Sequence, residues 1–162
     1  MNFLVRFLKN NEHELHENKV RLRMIGRMAD LPENVQNELQ RVMRNTSTYD
    51  DYHLILALSY GGRNEIVDAV RKIATCVKNG KLQPEAIDGS TISANLYLPD
   101  MPDPDLLIRT SGEMRISNFL LWQISYTELY VTSVLWPDFR EEHFKEAIEE
   151  YSRRHRRFGN IG

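Results

Sequence analysis

Hydrophobic residues in this chain switch repeatedly between the spacing of a helix and that of a strand, and this alternation limits the possible folds more than any other feature. Residues 3–15 place their apolar side chains on one helical stripe, and residues 19–26 alternate apolar and basic side chains before a glycine. Helical spacing returns over 30–43, an almost unbroken apolar run occupies 52–60, and helical spacing resumes over 63–80. Such an apolar run is typical of a strand covered on both faces.

The second half of the chain continues the alternation after a turn-rich stretch from Leu82 to Pro104, where we expect one short helix. The apolar pattern then predicts a strand at 105–109, a buried helix at 117–126 and a strand at 128–135. Four strands separated by helices predict an α/β fold, a mostly parallel sheet flanked by helices.

Acidic residues mark the starts of two of these helices. Asp30 with Glu33, and Asp138 with Glu141, have the spacing of capping pairs, and the second pair opens a final helix that we expect to extend to Arg157. Neither a repeat nor a low-complexity linker divides the chain, so residues 1–162 are predicted to form a single domain.

The charge balance excludes a global electrostatic attraction to nucleic acid or to acidic lipid. The formal net charge is −2 and the sequence pI is about 6.2, so an anion site has to be local. The single cysteine excludes an internal disulfide, and no apolar run reaches the length of a membrane span. These features predict a cytoplasmic protein and leave peripheral contact with a membrane open.

The segment RTSGEMRIS, residues 109–117, has the composition of an anion-binding loop. Arg109 and Arg115 flank a Ser-Gly turn, and a guanidinium group presents a planar fork of donors suited to phosphate oxygens. The segment begins where the strand at 105–109 ends, and ligands of parallel sheets gather at the carboxyl ends of strands. Ser117 precedes the predicted helix, whose free N–H groups would face the same ligand.

Spacing alone leaves a structural alternative open for this loop. Arg109 and Arg115 have acidic neighbours at Asp105 and Glu113, and the four side chains can form a network of ion pairs without any ligand.

Longer motifs carry a resemblance to a known family. The segment DPDLLIRTSGEMRISNFLLWQISYTELYVTSVLWPDF, residues 103–139, resembles the C-terminal signature of the cis-prenyltransferases, and of the undecaprenyl diphosphate synthases in particular. ALSYGGRNEIVDAV and NKVRLRMIG resemble upstream motifs, and the closing RRFG resembles the family's R-x-G element. The resemblance covers essentially the whole chain and implies the fold of an undecaprenyl diphosphate synthase.

The resemblance implies a reaction in which isopentenyl diphosphate attacks an allylic prenyl diphosphate, with Mg²⁺ assisting departure of the allylic diphosphate. The product would be extended by one cis unit, towards undecaprenyl diphosphate and the membrane. Apolar faces at residues 3–8 and 52–58 would line the tunnel for the growing chain, although periodicity does not distinguish them from ordinary core. The positions that match the isopentenyl diphosphate site are Arg109, Arg115, Ile116 and Ser117, and Arg157 and Gly159 of the R-x-G element are further substrate-binding positions.

Glu128, in YTELY, matches an acidic position associated with Mg²⁺ in the family. Its structural alternative is a carboxylate at a strand edge that orients its neighbours. The family is also dimeric, so the resemblance implies a homodimer.

One part of the family pattern has no counterpart in these residues. Family members begin with a strand and a loop resembling H-x-x-M-D-G-N-G-R-W, whose aspartate is central to catalysis, whereas the first aspartate here is Asp30. We therefore expect the C-terminal part of a cis-prenyltransferase, lacking the N-terminal strands and catalytic loop, with no catalytic residue of its own. The isolated chain is expected to be inactive.

Three other interpretations follow from the sequence. The R-x-G element without the aspartate suggests a non-catalytic accessory subunit of a heteromeric enzyme, although such a subunit would not need the arginine loop. RRHRR, residues 153–157, suggests nucleic-acid binding, but the acidic residues before it match a helix with its charges ordered along its dipole. His13 and His16 suggest a metal site, but solvated side chains on a polar helix face explain them better.

Overall fold

A computed structural model describes residues 2–154, with the side chain of Asn2 excepted, and it confirms the alternation of helices and strands. Short 3₁₀ turns lie at Met28–Asp30, Pro84–Ala86 and Trp136–Asp138. The regular elements in chain order are α1 (Asn2–Glu17), β1 (Val20–Ile25), α2 (Glu33–Asn45), β2 (Tyr52–Ala57), α3 (Gly62–Lys78), α4 (Gly89–Ser93), β3 (Leu106–Arg109), β4 (Glu128–Val131) and α5 (Glu141–Arg153).

The strands pair as two parallel ladders, whereas the sequence predicted one sheet. β1 pairs with β2, and β3 pairs with β4, with Leu106 opposite Glu128 and Arg109 opposite Val131. A cavity of about 380 Å³ lies against the first ladder, at Ile25, Ile55 and Ala57, and is bounded on its other side by the segment that precedes β3 and by Phe119 and Leu120. Apolar periodicity identifies strands but not their neighbours, which is why the sheet order was missed.

The main core lies where α1 and α2 cover one face of the first ladder. Its buried residues lie on the apolar faces of α1, β1 and α2, which the sequence pattern identified, and in the turn before α2. Thr46 is also buried there: its hydroxyl accepts from the main-chain N–H of Leu22 at 3.0 Å and donates to the carbonyl of Val42 at 2.9 Å. The apolar members of this core are Leu8, Leu22, Leu31, Val35, Leu39 and Val42.

The prediction that β2 is covered on both faces is wrong for the described residues. Tyr52 is 66% exposed and Leu54 is 39% exposed. The apolar run is real, but α1 covers only part of the face that carries Leu54 and Leu56.

Both predicted capping pairs are wrong. α2 begins after Pro32 without a side-chain cap, and the Asp30 carboxylate instead accepts a hydrogen bond from the hydroxyl of Ser59 at 3.0 Å. α5 is capped at Arg140, two residues after Asp138, and ends at Arg153. The capping pattern is short, so a nearby tertiary partner or a 3₁₀ turn easily replaces it.

The buried helix predicted at 117–126 is also wrong, because this segment forms turns. Ser117, Asn118 and Leu120 all have left-handed backbone conformations, with φ of +53°, +62° and +44°. Three such residues within four positions exclude a regular right-handed helix. The apolar side chains at 119–124 are half-buried although their backbone is irregular.

No helix among residues 2–154 combines the length and apolar character that crossing a membrane requires.

Candidate functional site

The loop that follows β3 is held rigidly at its first residues. The carbonyl of Arg109 accepts from the N–H of Thr132 at 2.9 Å, which extends the ladder beyond β4. Ser111 and Gly112 then donate to the carbonyls of Val134 and Thr132 at 2.9 and 2.8 Å. Ser111 and Gly112 have φ of +69° and +67°, so the Ser-Gly pair forms the tight turn that the sequence indicated.

The structure brings three of the predicted site residues into one cavity of about 190 Å³. Arg109, Arg115 and Ile116 line it together with Glu113 and an apolar wall. That wall consists of Leu107, Ile108, Phe119 and Leu129. A cationic end beside an apolar wall has the character needed to bind an amphiphilic anion.

The two arginines differ in how well their donors are satisfied. Arg115 forms an ion pair with Glu113 at 2.6 Å, so this part of the structural alternative is confirmed. The Nε atom of Arg109 is buried and has no hydrogen-bond partner among the described residues. A buried donor without a partner costs about 1–3 kcal/mol, and in a native site it calls for an explanation. An anion in the cavity would satisfy it.

Ser117 does not line this cavity, and no helix begins after it. The expectation that a helix N-terminus would face the same ligand is therefore wrong. The N–H groups that follow Ser117 belong to turns.

Asn118 is a residue of this site that the sequence reasoning missed. Its carbonyl accepts from the N–H of Gly62 at 2.7 Å, and its side-chain Oδ1 accepts from the N–H of Arg63 at 2.9 Å. These bonds join the loop after β3 to the start of α3, which follows β2. The Gly-Gly pair before a predicted helix was the available signal, because paired glycines often mark a close approach of two backbones.

A buried carboxylate lies beneath this junction. Glu65 of α3 is 2% exposed and accepts hydrogen bonds from the hydroxyl of Tyr60 at 2.5 Å, the N–H of Tyr97 at 2.9 Å and the Nε2 of Gln123 at 3.2 Å. Burial, and next the bond to Glu65, raises the pKa of Tyr60 above its ordinary value. Glu65 thus ties three separate segments together.

A second carboxylate on α3 extends this network towards the first ladder. Asp68 accepts from the hydroxyl of Tyr97 at 2.7 Å and from Arg27 at 3.2 Å. The bond from Tyr97 contributes most to lowering the pKa of Asp68. Burial contributes most to raising the pKa of Tyr97, to about 12.

Glu128 lies at the opposite end of the second ladder from Arg109. Their strands are in register, with Glu128 opposite Leu106 and Arg109 opposite Val131, so the two residues are separated by about 10 Å along the strands. The Glu128 carboxylate forms an ion pair with Arg154 at 2.9 Å, and Arg154 also donates to the carbonyl of Leu129 at 2.9 Å. This contact agrees with the structural alternative for Glu128, a carboxylate at a strand edge that orients its neighbours.

The described residues contain no group of three or more histidine, cysteine, aspartate or glutamate side chains placed to hold a metal ion. His16 instead shares a hydrogen bond with the hydroxyl of Tyr49 at 2.9 Å. The predicted roles of Arg157 and Gly159 fall outside the described residues.

The apolar faces predicted to line a tunnel do face each other. α1 and β2 enclose a cavity of about 110 Å³ between Phe7, Leu8 and Leu15 on the helix and Leu54 and Leu56 on the strand.

Comparison with known proteins agrees with the motifs. Residues 1–159 match the family model described as "Putative undecaprenyl diphosphate synthase". The chain is 48% identical over 158 residues to an isoprenyl transferase of Heliobacterium mobile, covering 98% of this chain and 61% of that protein. It is 48% identical over 151 residues to a geranylgeranyl-diphosphate-specific tritrans,polycis-undecaprenyl-diphosphate synthase of Methanocaldococcus jannaschii, covering 92% of this chain and 54% of that protein.

A solved structure extends the likeness to the fold. Lavandulyl diphosphate synthase of Lavandula x intermedia, solved in complex with dimethylallyl diphosphate, is 39% identical and superposes with a TM-score of 0.95. The match covers 98% of this chain and 69% of that one. This chain therefore spans little more than half to about two thirds of the length of these relatives.

Proposed function

The chain belongs to the undecaprenyl diphosphate synthase family of prenyltransferases, and from this premise we propose that the loop at 109–117 binds the diphosphate group of isopentenyl diphosphate for cis-prenyl transfer. The buried Nε of Arg109, which has no partner among the described residues, carries this proposal. It lies on a side chain that lines one cavity with Arg115. A diphosphate oxygen would accept from it, and the fixed guanidinium charges would compensate the anion.

The apolar wall of the same cavity suits the hydrocarbon part of this substrate. Ile108, Ile116, Phe119 and Leu129 surround the arginines without adding charge. A small isoprenoid would therefore lie against side chains that exclude water, while its diphosphate meets the cationic end. Ser117, one residue after Ile116, is proposed to supply a hydroxyl to the same diphosphate.

The proposed reaction forms one carbon–carbon bond. The alkene carbon of isopentenyl diphosphate attacks the first carbon of an allylic prenyl diphosphate, the carbon–oxygen bond to the allylic diphosphate breaks, and a proton leaves the former isopentenyl unit to give a cis double bond. In this scheme Arg109 and Arg115 bind and orient the nucleophilic substrate, whose own diphosphate stays attached.

Mg²⁺ belongs to the proposal as the ion that would assist departure of the allylic diphosphate. Glu128 offers one carboxylate, but that carboxylate is paired with Arg154, and no group of three potential ligands exists among residues 2–154. Octahedral Mg²⁺ is commonly held by one or two carboxylates together with substrate phosphates. The described residues alone do not form such a site.

Which steps of the reaction this chain carries out is also a proposal. No Asp-Gly-Asn sequence occurs in the 162 residues, and we propose that they bind isopentenyl diphosphate without completing prenyl transfer. One relative is by name specific for geranylgeranyl diphosphate, and another was solved in complex with dimethylallyl diphosphate. An allylic prenyl diphosphate is therefore the second proposed substrate.

Several further properties are proposed from the family. They are a homodimer, a cytoplasmic location, contact of the long product with a membrane, and a tunnel for the growing chain between α1 and β2. The facing apolar side chains of Phe7, Leu15 and Leu54 support the last of these.

Isothermal titration of the 162-residue chain with isopentenyl diphosphate tests the proposed function. The expected result is saturable binding that Arg109→Met and Arg115→Met each weaken roughly tenfold to a hundredfold, the loss of one charge-assisted contact of about 1.5–3 kcal/mol. Arg71→Met is the matched control, since Arg71 is 71% exposed on α3 and pairs only with Asp68 among the interactions observed. Equal affinity in all four proteins would contradict the proposal.

A further inference from the structure

We propose that Asn118 is a positioning residue for the diphosphate loop, holding its far end against the N-terminus of α3. The inference rests on the proposed function of the loop at 109–117. It assigns no substrate contact to Asn118, which acts through the residues on either side of it.

The contacts of Asn118 replace a missing helix cap. The first N–H groups of a helix have no partner within the helix, and a side chain at the N-cap position usually satisfies one of them. α3 begins after Gly61, which has no side chain to offer. Asn118 supplies acceptors for two of these N–H groups from a distant loop: its carbonyl accepts from the N–H of Gly62 and its Oδ1 accepts from the N–H of Arg63.

The glycine pair creates the room for this contact. A Cβ atom built at Gly61 would lie 2.7 Å from Nδ2 of Asn118, and one at Gly62 would lie 2.9 Å from Cγ and 3.0 Å from the main-chain nitrogen of Leu121. Real Cβ atoms do not approach other atoms so closely. Gly62 is therefore required by the proximity of the loop backbone, whereas at Gly61 an added Cβ would displace only the end of the Asn118 side chain.

The backbone of the loop at Ser117 and Asn118 has to be fixed by contacts with other parts of the chain. Ser117 and Asn118 are consecutive left-handed residues, at φ of +53° and +62°. Non-glycine residues keep such conformations only where the surroundings fix them, and asparagine tolerates them best. The two bonds to α3 provide that fixation.

Asn118 fixes one end of the segment that lines the cavity. The loop is fixed at its start by the bonds of Arg109 and Ser111 to the chain after β4, and at its end by Asn118. Arg115 and Ile116 lie between these two points and line the cavity, as does Phe119 on the other side of Asn118. Releasing Asn118 would free the segment that carries Arg115 while leaving Arg109 in place.

Three variants separate the contributions. Asn118→Gly keeps the left-handed backbone and the carbonyl but removes Oδ1. Asn118→Ala removes Oδ1 and also disfavours the left-handed conformation. Gly61→Ala leaves Asn118 unchanged and pushes its side chain away, because Gly61 has an extended backbone that alanine adopts freely.

Isothermal titration with isopentenyl diphosphate and hydrogen exchange of the main-chain amides are measured on each variant. Asn118→Gly and Gly61→Ala are expected to weaken binding about two- to tenfold, the loss of one uncharged hydrogen bond, and Asn118→Ala to weaken it further. Exchange of the Arg63 amide should accelerate in all three. Thr46→Val is the control, since it removes a buried hydrogen bond far from the loop and should lower thermal stability without changing affinity.

The outcomes distinguish this inference from the function on which it rests. If the unchanged chain binds and Arg109→Met weakens binding, but Asn118→Gly and Gly61→Ala bind as the unchanged chain does, the positioning role of Asn118 is wrong. It is equally wrong if Thr46→Val weakens binding as much as they do, because the effect is then one of general stability. If the unchanged chain does not bind, or binding is independent of Arg109, the proposed function fails and the inference fails with it.

Discussion

Gly62→Ala offers a sharp test of how the loop after β3 is packed. The single added methyl group would lie 2.9 Å from the Cγ atom of Leu121 and 3.0 Å from the main-chain nitrogen of the same residue. A side-chain carbon can rotate away, but the nitrogen belongs to the turn that follows Asn118, which is itself bonded to Gly62. Relief of the overlap therefore requires movement of the backbone of the loop.

The expected cost follows from this overlap. Forcing an extra methyl group into a closely packed site typically costs about 1–3 kcal/mol. For a chain of 162 residues, each kcal/mol lowers the melting temperature by about 2–4 °C. Gly62→Ala should therefore lower the melting temperature by about 2–12 °C, measured by circular dichroism during thermal unfolding.

Gly89→Ala is the matched control. Gly89 is the first residue of α4, and the nearest atom to an added Cβ would be Cζ2 of Trp122 at 3.9 Å, an ordinary contact. Alanine should be neutral there or stabilise the protein by up to about 1 kcal/mol. If Gly62→Ala melts within 1 °C of the unchanged chain, the close approach of the loop to α3 is wrong.

Four further outcomes are expected. Asp100 has a pKa lowered to about 2, chiefly by its hydrogen bond from Arg23; its stabilising contribution is therefore present above pH 4 and lost between about pH 4 and pH 2. Asp100→Asn should thus be less stable than the unchanged chain at pH 7, by under 1 kcal/mol because this carboxylate is 58% exposed, and equally stable near pH 2 in urea titrations. Thr46→Val should cost about 1–3 kcal/mol in the same assay, because it leaves a buried N–H of β1 without a partner, while Thr46→Ser should restore most of the loss. A double-mutant cycle with Glu128→Gln and Arg154→Met should give a coupling of about 1 kcal/mol, and a coupling near zero would mean that this ion pair does not anchor α5. The 162-residue chain should incorporate no radiolabelled isopentenyl diphosphate into farnesyl diphosphate with Mg²⁺ present, and turnover comparable to that of a family member would refute this.

Hydrophobic periodicity was sufficient to predict most regular elements. The strands at Val20–Ile25 and Tyr52–Ala57 and the helix at Gly62–Lys78 lie close to the predicted ranges. Each of these elements packs one face against a neighbour, and the spacing of its apolar side chains therefore indicates its type.

The pattern failed where tertiary contacts overrode it. Residues 117–126 have the apolar content of a buried helix, yet Asn118 is held in a left-handed conformation by its bonds to Gly62 and Arg63. Asp30 has the sequence of a cap, yet it bonds to Ser59. Partners more than 25 residues away along the chain leave no local signal in the sequence.

The candidate site was predictable in its charge and only partly in its geometry. The composition of RTSGEMRIS indicated an anion site, and the motif resemblance identified Arg109, Arg115 and Ile116, which share one cavity. The spacing did not reveal that Arg115 pairs with Glu113 while the Nε of Arg109 stays without a partner among the described residues. That difference depends on which side chain is buried.

A crystal structure of the chain soaked with isopentenyl diphosphate would show whether the loop after β3 binds the diphosphate. We expect diphosphate oxygens within hydrogen-bond distance of the Nε of Arg109 and of the Arg115 guanidinium, with Arg115 released from Glu113 and the hydrocarbon against Ile116. Diphosphate bound elsewhere on the chain, with the Arg109 cavity unchanged, would contradict this expectation.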